Sequence, residues 1–285
     1  MKILLTGADG QVGYELLRCL QGLGEVHAFN RSRLDLADLD RVRDCVRTLR
    51  PDLIVNAAAY TAVDRAEREP ELALRINAQA PGVMALQARE VGAALVHFST
   101  DYVFGGDKDA PYVEGDPTRP LNVYGETKML GEQAIIASGA PYLILRTGWV
   151  YGMRGHNFLR TMLALAARQS EVRVVDDQVG APTWSRTVAQ TTAHILVQAS
   201  MGGPTWWSEQ RGTYHLAAGG ETSWAGFAQA IMEETRSDCR VVPIASSEYV
   251  TAARRPMNSR LNTTRLTSRF CRLPAWRDAL ALCLH

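Results

Sequence analysis

The sequence predicts an α/β fold in which a doubly wound parallel sheet is joined to a smaller C-terminal substrate-binding domain. Two observations support this prediction. Short apolar runs alternate with helix-like segments through residue 147, and the first run breaks at a glycine-rich turn. Because parallel strands are connected by crossovers that are usually helical, the alternation predicts helices on both faces of the sheet.

Length, charge and composition restrict the class of protein. The chain has 285 residues, 31 Lys+Arg and 30 Asp+Glu, without a basic stripe, so nucleic acid is not an expected partner. No apolar run reaches the length of a membrane span, so no membrane association is expected either. The five cysteines are scattered without a CxxC motif, which favours a reducing compartment and predicts a cytoplasmic protein. The six histidines show no metal-ligand spacing, and no metal site is predicted from them.

The first apolar run, residues 2–6, is followed by a turn that contains Gly7, Gly10 and Gly13 and then by a helix-like segment. Glycines at these positions allow a tight turn, let a pyrophosphate approach the backbone and let the helix pack on the strand. The free amides at the helix N-terminus would face the anion. The GxxGxxG spacing differs from the more familiar GxGxxG. We interpret the turn as a dinucleotide site, and the alternative is an ordinary tight connection.

The end of the second predicted strand, residues 25–29, bears on the choice of cofactor. An acidic residue there would bind the 2′-hydroxyl of the adenosine ribose, whereas an arginine can pair with a 2′-phosphate. The chain has Asn30 followed by Arg31, which favours NADPH while leaving NADH possible. The alternative for Arg31 is a solvated surface charge. Asp35 and Leu36 follow in a turn where they could border the adenine.

A polar helix at residues 38–50 precedes a third buried strand at residues 52–56, which runs into small residues at 57–59. Small residues at the carboxyl end of a strand let a cofactor lie against the backbone, although ordinary close packing explains them equally well. A long helix is predicted at residues 71–91. Asn77 interrupts it with a polar side chain that could bridge backbone groups.

The fourth predicted strand, residues 94–98, delivers Ser99 and Thr100 at its carboxyl end. Their hydroxyls are well placed to hydrogen-bond a substrate carbonyl, and the alternative is that they satisfy local backbone groups. Tyr124 and Lys128 are four residues apart, so on a helix both side chains emerge from one face. An ammonium near a phenol favours the phenolate, which makes the pair a tuned proton donor or acceptor. Taken alone, this pair also occurs by chance on surface helices.

The second half of the chain contains weaker signals. Arg254 and Arg255 begin a polar segment, residues 254–262, that could grip a diphosphate or nucleoside, and the alternative is a solvated basic loop. We expect residues 1–150 to form a dinucleotide-binding domain and residues 151–285 to form mainly a substrate-binding domain, with some segments returning to the main sheet. The further predicted elements are a strand at 142–146, helices at 157–168, 185–198 and 223–235, and strands near 171–175, 213–217 and 240–243.

The glycine turn, the Ser-Thr pair after the fourth strand and the YxxxK helix before the fifth follow one another in a specific order. This combination resembles the extended short-chain dehydrogenase/reductase family, whose first domain is a Rossmann fold, over essentially the whole chain. The resemblance extends to the dTDP-4-dehydrorhamnose reductases, which make dTDP-L-rhamnose for bacterial surface polysaccharides. The segments that carry it are residues 99–104, 121–128, 146–151 and 254–263.

The resemblance implies roles for the residues of the reaction site. Tyr124 would protonate the C4 oxygen of the sugar as a hydride arrives from the nicotinamide. Lys128 would bind the nicotinamide ribose and lower the pKa of the phenol. Thr100 would hydrogen-bond the same sugar oxygen, Asp101 would contact the sugar, and Trp149 would pack over it as a wall.

The resemblance also implies cofactor contacts and an assembly. Some relatives carry an acid where this chain has Asn30, so the cofactor preference stays open. Some form homodimers around a magnesium ion bound by glutamates, one of which matches Glu15; we therefore expect a homodimer and consider Mg²⁺ without assigning its ligands. The implied cofactor contacts are Gly10, Gln11 and Val12 at the pyrophosphate, Asp35 and Leu36 at the adenosine, and Ala59, Tyr60 and Thr61 on the nicotinamide side.

The resemblance thus implies an NAD(P)H-dependent reduction of the C4 keto group of dTDP-4-dehydro-L-rhamnose, a nucleotide-sugar substrate, to dTDP-L-rhamnose. Dehydratases of the same superfamily usually carry an Asp-Glu pair after the threonine, whereas Tyr102 follows Asp101 here. The alternatives are another NDP-sugar epimerase or reductase, and a non-catalytic regulatory subunit that binds the cofactor. Retention of Thr100, Tyr124 and Lys128 argues against the regulatory subunit.

Overall fold

The structure is a computed structural model that describes residues 1–285. Its strands are β1 (Lys2–Thr6), β2 (Glu25–Phe29), β3 (Leu53–Asn56), β4 (Ala94–Thr100), β5 (Tyr142–Thr147), β6 (Val150–Tyr151), β7 (Glu171–Val175), β8 (Val179–Gly180), β9 (Thr183–Trp184), β10 (Gly212–His215), β11 (Thr222–Ser223) and β12 (Arg240–Ile244). Its α-helices are α1 (Gln11–Cys19), α2 (Leu39–Leu49), α3 (Val63–Ala66), α4 (Pro70–Leu74), α5 (Ala80–Val91), α6 (Val123–Ser138), α7 (Phe158–Ala166), α8 (Ser185–Met201), α9 (Trp206–Gln210), α10 (Trp224–Thr235), α11 (Thr264–Arg269) and α12 (Trp276–Leu284).

The main sheet has six strands in the order β10-β5-β4-β3-β1-β2, and every neighbouring pair is parallel. Strand order reverses beside β1, which is the position where doubly wound sheets bind ligands at the carboxyl ends of their strands. The predicted doubly wound parallel sheet is therefore confirmed. Its carboxyl edge brings together the ends of β1, β3, β4 and β5, which are the ends that carry the predicted site residues.

Two apolar layers cover the sheet. One layer packs α1 and α8 against it through side chains such as Leu16 and Val188, and the other packs α2, α5 and α6 through side chains such as Val46, Met84 and Ile135. All five of these side chains are fully buried. The strands are apolar along their whole length because both of their faces lie against helices.

A separate core, built around Tyr151, Leu159, Phe227 and Leu280, forms where α7, α10 and α12 pack with the parallel pair β7 and β12. These elements all lie beyond residue 150, but α8 and β10, which also lie there, pack on or join the main sheet. The chain therefore crosses from one core to the other more than once in its second half.

The predicted helices and strands are found within a few residues of their expected bounds. The helix predicted at residues 71–91 is continuous, but a π turn at Arg75–Gln79 joins α4 to α5. Eight elements were not predicted: α3, α9, α11, α12, β6, β8, β9 and β11. Most of them have only a few residues, which show too little periodicity. No helix of the structure is long and apolar enough to cross a membrane.

Candidate active site

Thr100 and Asp101 lie at the carboxyl end of β4, and each is less than 5% exposed. The Thr100 hydroxyl donates a hydrogen bond to Asp101 Oδ1 at 2.9 Å and accepts one from the Tyr102 amide at 3.2 Å. Thr100 therefore does satisfy a local backbone group, which was the alternative interpretation of its hydroxyl. The same hydroxyl also lies beside Tyr124, and it acts to lower the pKa of that phenol. Thr100 therefore holds the Asp101 carboxyl and faces the phenol at once.

Asp101 carries a buried carboxyl group that is only partly hydrogen-bonded. Its Oδ2 atom has no hydrogen-bond partner, and burial raises the pKa of the carboxyl to about 6. Gly148 keeps the space beside it clear, since a Cβ atom there would lie 2.4 Å from Asp101 Cγ. A buried polar atom without a partner is costly unless a ligand satisfies it, so this oxygen fits contact with a sugar hydroxyl.

Helix α6 places Tyr124 in the same pocket. Asn122 caps the helix by accepting a hydrogen bond from the Gly125 amide at 2.8 Å, and its side-chain amide donates to the Arg254 carbonyl at 2.7 Å. The Tyr124 ring meets the edge of the Tyr102 ring at 5.9 Å. Burial raises the pKa of the Tyr124 phenol to about 12, and the nearby Asp101 carboxyl acts in the same direction.

Lys128 lies one turn along α6 and is 1% exposed. Its Nζ atom donates to the Phe98 carbonyl at 2.6 Å and lies 3.1 Å from His97 Nε2. Burial lowers the pKa of Lys128 to about 8, against the opposing effect of the Glu132 carboxylate. The half-buried Tyr124 and the fully buried Lys128 thus lie one turn apart on α6, as their spacing predicts.

The expected lowering of the Tyr124 pKa by Lys128 is not what the structure shows. The pKa of the phenol lies above its usual value, because removal of the phenolate from water outweighs the groups that favour it. Burial likewise disfavours the protonated, charged form of Lys128. In this state Tyr124 is a fully protonated hydrogen-bond donor at neutral pH, which suits a proton donor.

The glycine turn between β1 and α1 tests whether a dinucleotide fits. Gly7 has φ +69°, and a Cβ atom on Gly13 would lie 2.0 Å from the Gly7 carbonyl oxygen. Gly10 is the extended N-cap of α1, and no side chain caps this helix. The first amides of α1, at Gln11 and Val12, therefore lack acceptors from their own helix and are available to a phosphate. The residues present fit a pyrophosphate.

Asn30 and Arg31 follow β2 at the side of this turn. Asn30 Nδ2 donates to Asp9 Oδ2 at 2.8 Å, so Asn30 braces the glycine turn itself. The Arg31 side chain is 75% exposed and lies 3.5 Å from the Asp35 carboxylate, an exposed pairing that leaves the guanidinium available. Leu36 is buried beneath this surface.

The residues after β3 are held by Asn77 in the π turn. Asn77 Oδ1 accepts from the Tyr60 amide at 2.8 Å, and its Nδ2 donates to the Tyr60 carbonyl at 3.0 Å and to Thr127 Oγ1 at 3.2 Å. The prediction that Asn77 bridges backbone groups is confirmed. This bridge fixes the segment from Ala59 to Thr61 against α6, directly beside the Tyr124 turn.

Trp149 forms a rigid apolar wall. Its ring stacks on Trp224 with centroids 3.5 Å apart and planes 1° apart, and its Nε1 donates to Ser259 Oγ at 2.9 Å. Its backbone has φ +49°, an uncommon conformation for a bulky side chain. A Cβ atom on Gly180 would lie 2.4 Å from the indole, so the ring occupies space that only a glycine at this position leaves free.

The two arginines of the C-terminal segment differ. Arg254 is exposed and forms no side-chain hydrogen bond or salt bridge in the structure. Arg255 donates from two nitrogens to the two oxygens of Asp64, at 2.7 and 2.6 Å, so its guanidinium already has a carboxylate partner. That pair lowers the pKa of Asp64 to about 2. Of the two, only Arg254 has a guanidinium without a protein partner.

Sequence reasoning did not identify His97 and Asn56, which lie beneath Lys128 in the sheet. Asn56 Nδ2 is 3.0 Å from His97 Nδ1, and both residues are fully buried. The available signal was a polar residue near the carboxyl end of each of two adjacent, otherwise apolar strands. Within the chain, no group of three or more His, Cys, Asp or Glu side chains is placed to hold a metal ion, and Glu15 belongs to no such group.

The fold and this pocket define the class of the protein. A doubly wound sheet with a glycine turn after β1, a threonine at the end of β4 and a Tyr-Lys pair on the next helix is the architecture of an extended short-chain dehydrogenase/reductase. Residues 1–285 match the family described as the RmlD substrate binding domain, and the chain belongs to that family.

Individual relatives agree with this assignment. The chain is 47% identical to the dTDP-4-dehydrorhamnose reductase of Burkholderia thailandensis over 294 residues, covering 100% of this chain and 98% of that protein. It is 46% identical to the enzyme of the same name from Escherichia coli K12, covering 97% and 95%. A crystal structure of dTDP-4-dehydrorhamnose reductase from Bacillus anthracis in complex with NADP superposes with a TM-score of 0.90 at 35% identity, covering 99% and 98%.

Proposed function

We propose that this protein reduces the C4 keto group of dTDP-4-dehydro-L-rhamnose to give dTDP-L-rhamnose, with NADPH as the reductant. The observation that carries the proposal is that the half-buried Tyr124 lies beside the buried hydroxyl of Thr100 and one helical turn from the buried Lys128, in a fold whose first glycine turn fits a pyrophosphate. Relatives at 46–47% identity over nearly the whole chain bear the name of this reductase.

The chemistry needs a hydride at the carbonyl carbon and a proton at the carbonyl oxygen. When bound, the nicotinamide supplies the hydride. Tyr124 supplies the proton: its O–H bond breaks as the new O–H bond of the sugar forms, and the phenolate left behind is reprotonated before the next turnover. Thr100 would orient the same oxygen, and Lys128 would hold the nicotinamide ribose and, in its protonated form, stabilise the transient phenolate.

Substrate binding would use the other walls of the pocket. The Oδ2 atom of Asp101 would accept a hydrogen bond from a hydroxyl of the sugar, and Trp149 would present its indole as a flat surface to the sugar ring. The exposed Arg254 would meet the diphosphate as it enters, whereas Arg255 would act through its pair with Asp64. Cofactor contacts would come from Gly7, Gly10, Gln11, Val12, Gly13, Asn30, Arg31, Asp35, Leu36, Ala59, Tyr60 and Thr61.

The preference for NADPH rests on Arg31, which lies at the end of β2 with most of its side chain in solvent. The Bacillus anthracis relative was crystallised with NADP. Residues 1–150 would hold the cofactor and residues 151–285 would supply mainly the substrate wall, in a cytoplasmic homodimer. Sedimentation at several concentrations tests the dimer.

The test of the function is turnover with a matched pair of variants. Purified protein, NADPH and dTDP-4-dehydro-L-rhamnose are mixed, and nicotinamide oxidation and sugar product are measured together. We expect one product per NADPH oxidised, and we expect Tyr124→Phe to lower kcat on the order of 10² to 10⁴-fold with NADPH binding retained. Tyr142→Phe, at the start of β5, is the control and should turn over normally. Wild-type oxidation no faster than that of Tyr124→Phe would refute the proposal, and product without net oxidation would indicate an epimerase.

A further inference from the structure

A buried row of polar side chains crosses three adjacent strands, from Thr6 at the end of β1 to His97 in the middle of β4, and ends at Lys128. Thr6 on β1 is in register with Asn56 on β3, which is in register with His97 on β4. Thr6 Oγ1 donates to Asn56 Oδ1 at 2.6 Å, Asn56 Nδ2 lies 3.0 Å from His97 Nδ1, and His97 Nε2 lies 3.1 Å from Lys128 Nζ. All four side chains are at most 1% exposed, so water does not compete for these bonds.

The backbone fixes which way the row is oriented. The Ala58 amide donates to Asn56 Oδ1 at 3.3 Å, so the carboxamide oxygen faces Ala58 and its NH₂ group faces His97. His97 Nδ1 must then accept, and a neutral imidazole carries its single proton on Nε2. Burial and the neighbouring Lys128 lower the pKa of His97 well below its usual range, which keeps the ring neutral.

This arrangement is satisfied by only one protonation state of Lys128. An Nε2–H group that points at Nζ needs an acceptor, and only the unprotonated amine has a lone pair. The amine can accept from His97 while it donates to the Phe98 carbonyl at 2.6 Å. An ammonium in the same place has no lone pair, so one of its N–H groups would face the Nε2–H group of His97 and two donors would lie opposite each other.

We propose that His97 is a positioning residue that couples the protonation of Lys128 to Asn56 and the Ala58 amide by exchanging its tautomer. One proton is taken up from solvent in the exchange: the Nε2–H bond of His97 breaks as its proton passes to Lys128 Nζ, and the proton from solvent forms the new Nδ1–H bond. The ring stays neutral, and the Lys128 ammonium now donates to Nε2. The Asn56 carboxamide rotates to present its oxygen to Nδ1. The Ala58 amide is then left with Thr6 Oγ1, 3.4 Å away.

The consequence is a link between the lysine and the cofactor-facing loop after β3. The hydrogen bond donated by the Ala58 amide changes with the charge on Lys128. Ala58 directly precedes the segment from Ala59 to Thr61, so the change is felt next to that segment. The other charged group on this side is Glu132 of α6, which raises the pKa of Lys128 but is itself paired with Arg146 of β5 at 2.6 Å.

The remaining titratable groups facing the site are Asp101 and Tyr102, at the end of β4, and Tyr124 on α6. None of them contacts His97 through a hydrogen bond, and the charged group that acts on the pKa of Lys128 is Glu132. The inference rests on the proposed role of Lys128 at the nicotinamide ribose. Its test uses the protein without cofactor or sugar, so it succeeds or fails independently of turnover.

The sequence makes a direct measurement practical, because Lys2, Lys108 and Lys128 are its only lysines. Protein labelled with ¹³C at lysine Cε and ¹⁵N in histidine is titrated by NMR, with Lys2→Arg, Lys108→Arg and His97→Phe assigning the signals. We expect Lys128 to titrate with a pKa of about 8. We expect neutral His97 to carry its proton on Nε2 above that midpoint and on Nδ1 below it. A tautomer that stays the same through the Lys128 titration overturns the proposal, and this measurement on the wild type needs no variant to fold.

Variants then separate the relay from simple charge. Asn56→Asp provides only acceptors, which favours Nδ1–H on His97 and the ammonium, so the pKa of Lys128 should rise by about one unit or more. In the Asn56→Asp/His97→Phe double variant the rise in the pKa of Lys128 should be at most about half as large, because the imidazole that links Asn56 to Lys128 is absent. Thr6→Ser keeps the hydroxyl and should leave Lys128 unchanged. An equal rise with and without His97 would mean charge alone acts, and the proposal would be wrong.

Discussion

At the scale of single residues, the unpaired Oδ2 atom of Asp101 makes a prediction about stability. The folded protein holds this carboxyl at a pKa of about 6, above the unfolded value of about 3.9. Between these values the folded state binds more protons than the unfolded state, so the free energy of unfolding falls as pH rises from 4 to 6. Ionised Asp101 therefore destabilises the fold at neutral pH, in the place where a ligand would contact it.

We expect Asp101→Asn to be more stable than the wild type at pH 8, with most of this gain lost at pH 4. The difference between the two conditions is about 3 kcal/mol, because two pKa units correspond to that free energy. Urea unfolding at both pH values measures it, and Asp238→Asn, at an exposed aspartate, is the control. A gain of equal size at both pH values would show that the titration of Asp101 is not the cause. Turnover of the variant should fall, since Asn presents a donor where the carboxylate accepts.

At this scale the sequence identified the residues that project into the pocket but not their electrostatics. Tyr124 and Lys128 were found from helical spacing and Thr100 from its position after a strand, because those are one-dimensional patterns. The raised pKa of Tyr124 arises from burial by side chains distant in sequence, which no local pattern records. His97 was passed over because a buried strand of a parallel sheet is read as uniformly apolar.

At the scale of elements, the π turn at Arg75–Gln79 orients the Asn77 side chain. The extra residue in that turn brings Asn77 to the loop after β3, where its carboxamide meets both backbone groups of Tyr60. A Cβ atom on Gly131 would lie 2.1 Å from the Asn77 carbonyl oxygen, so α6 fits closely against the widened turn. π turns of this kind are frequent at functional sites.

We expect Asn77→Ala to lower the free energy of unfolding by about 2 kcal/mol or more, because it leaves the amide and carbonyl of Tyr60 without partners. The KM for NADPH should rise more than the KM for the sugar, since the freed loop lies on the cofactor side. Gln79→Ala changes an exposed residue of the same turn and should alter neither quantity. Chemical denaturation and steady-state kinetics of both variants test this. A loss of stability without any change in the KM for NADPH would limit Asn77 to a structural role.

Sequence periodicity predicted the long helix that contains this turn but not the turn itself. A π turn adds one residue to a helix, and the apolar pattern on either side of it remains helical. The polar Asn77 in the middle was the only sign, and it correctly predicted a contact with backbone groups.

At the scale of the whole molecule, the pair between Asp64 and Arg255 joins segments 191 residues apart. Asp64 lies in α3, after the loop that we propose contacts the cofactor, and Arg255 lies in the C-terminal segment. The Ala253 amide donates to the same carboxylate at 3.0 Å. No pattern in the sequence connects these two segments, because the contact depends on how the second half of the chain returns across the carboxyl edge of the main sheet.

The pair should hold the C-terminal segment in place without contributing much to global stability. The Asp64 side chain is 44% exposed and that of Arg255 is 19% exposed, so solvent screens the interaction, which is worth on the order of 1 kcal/mol. The pKa of Asp64 is lowered to about 2. Its contribution is therefore complete above the unfolded pKa of about 4 and is lost as pH falls through about 2.

We expect Arg255→Ala to speed hydrogen exchange at the Ala253 amide and to raise the KM for the nucleotide sugar several-fold, while global unfolding changes little. Arg254→Ala is the matched variant, since the neighbouring arginine has no carboxylate partner. It should raise the same KM through loss of a diphosphate contact and leave exchange at Ala253 as in the wild type. Exchange measured by NMR at pH 5 to 7, together with kinetics, separates the two arginines. Equal exchange in both variants would show that the pair with Asp64 does not fasten the segment, and that both guanidiniums act on the substrate alone.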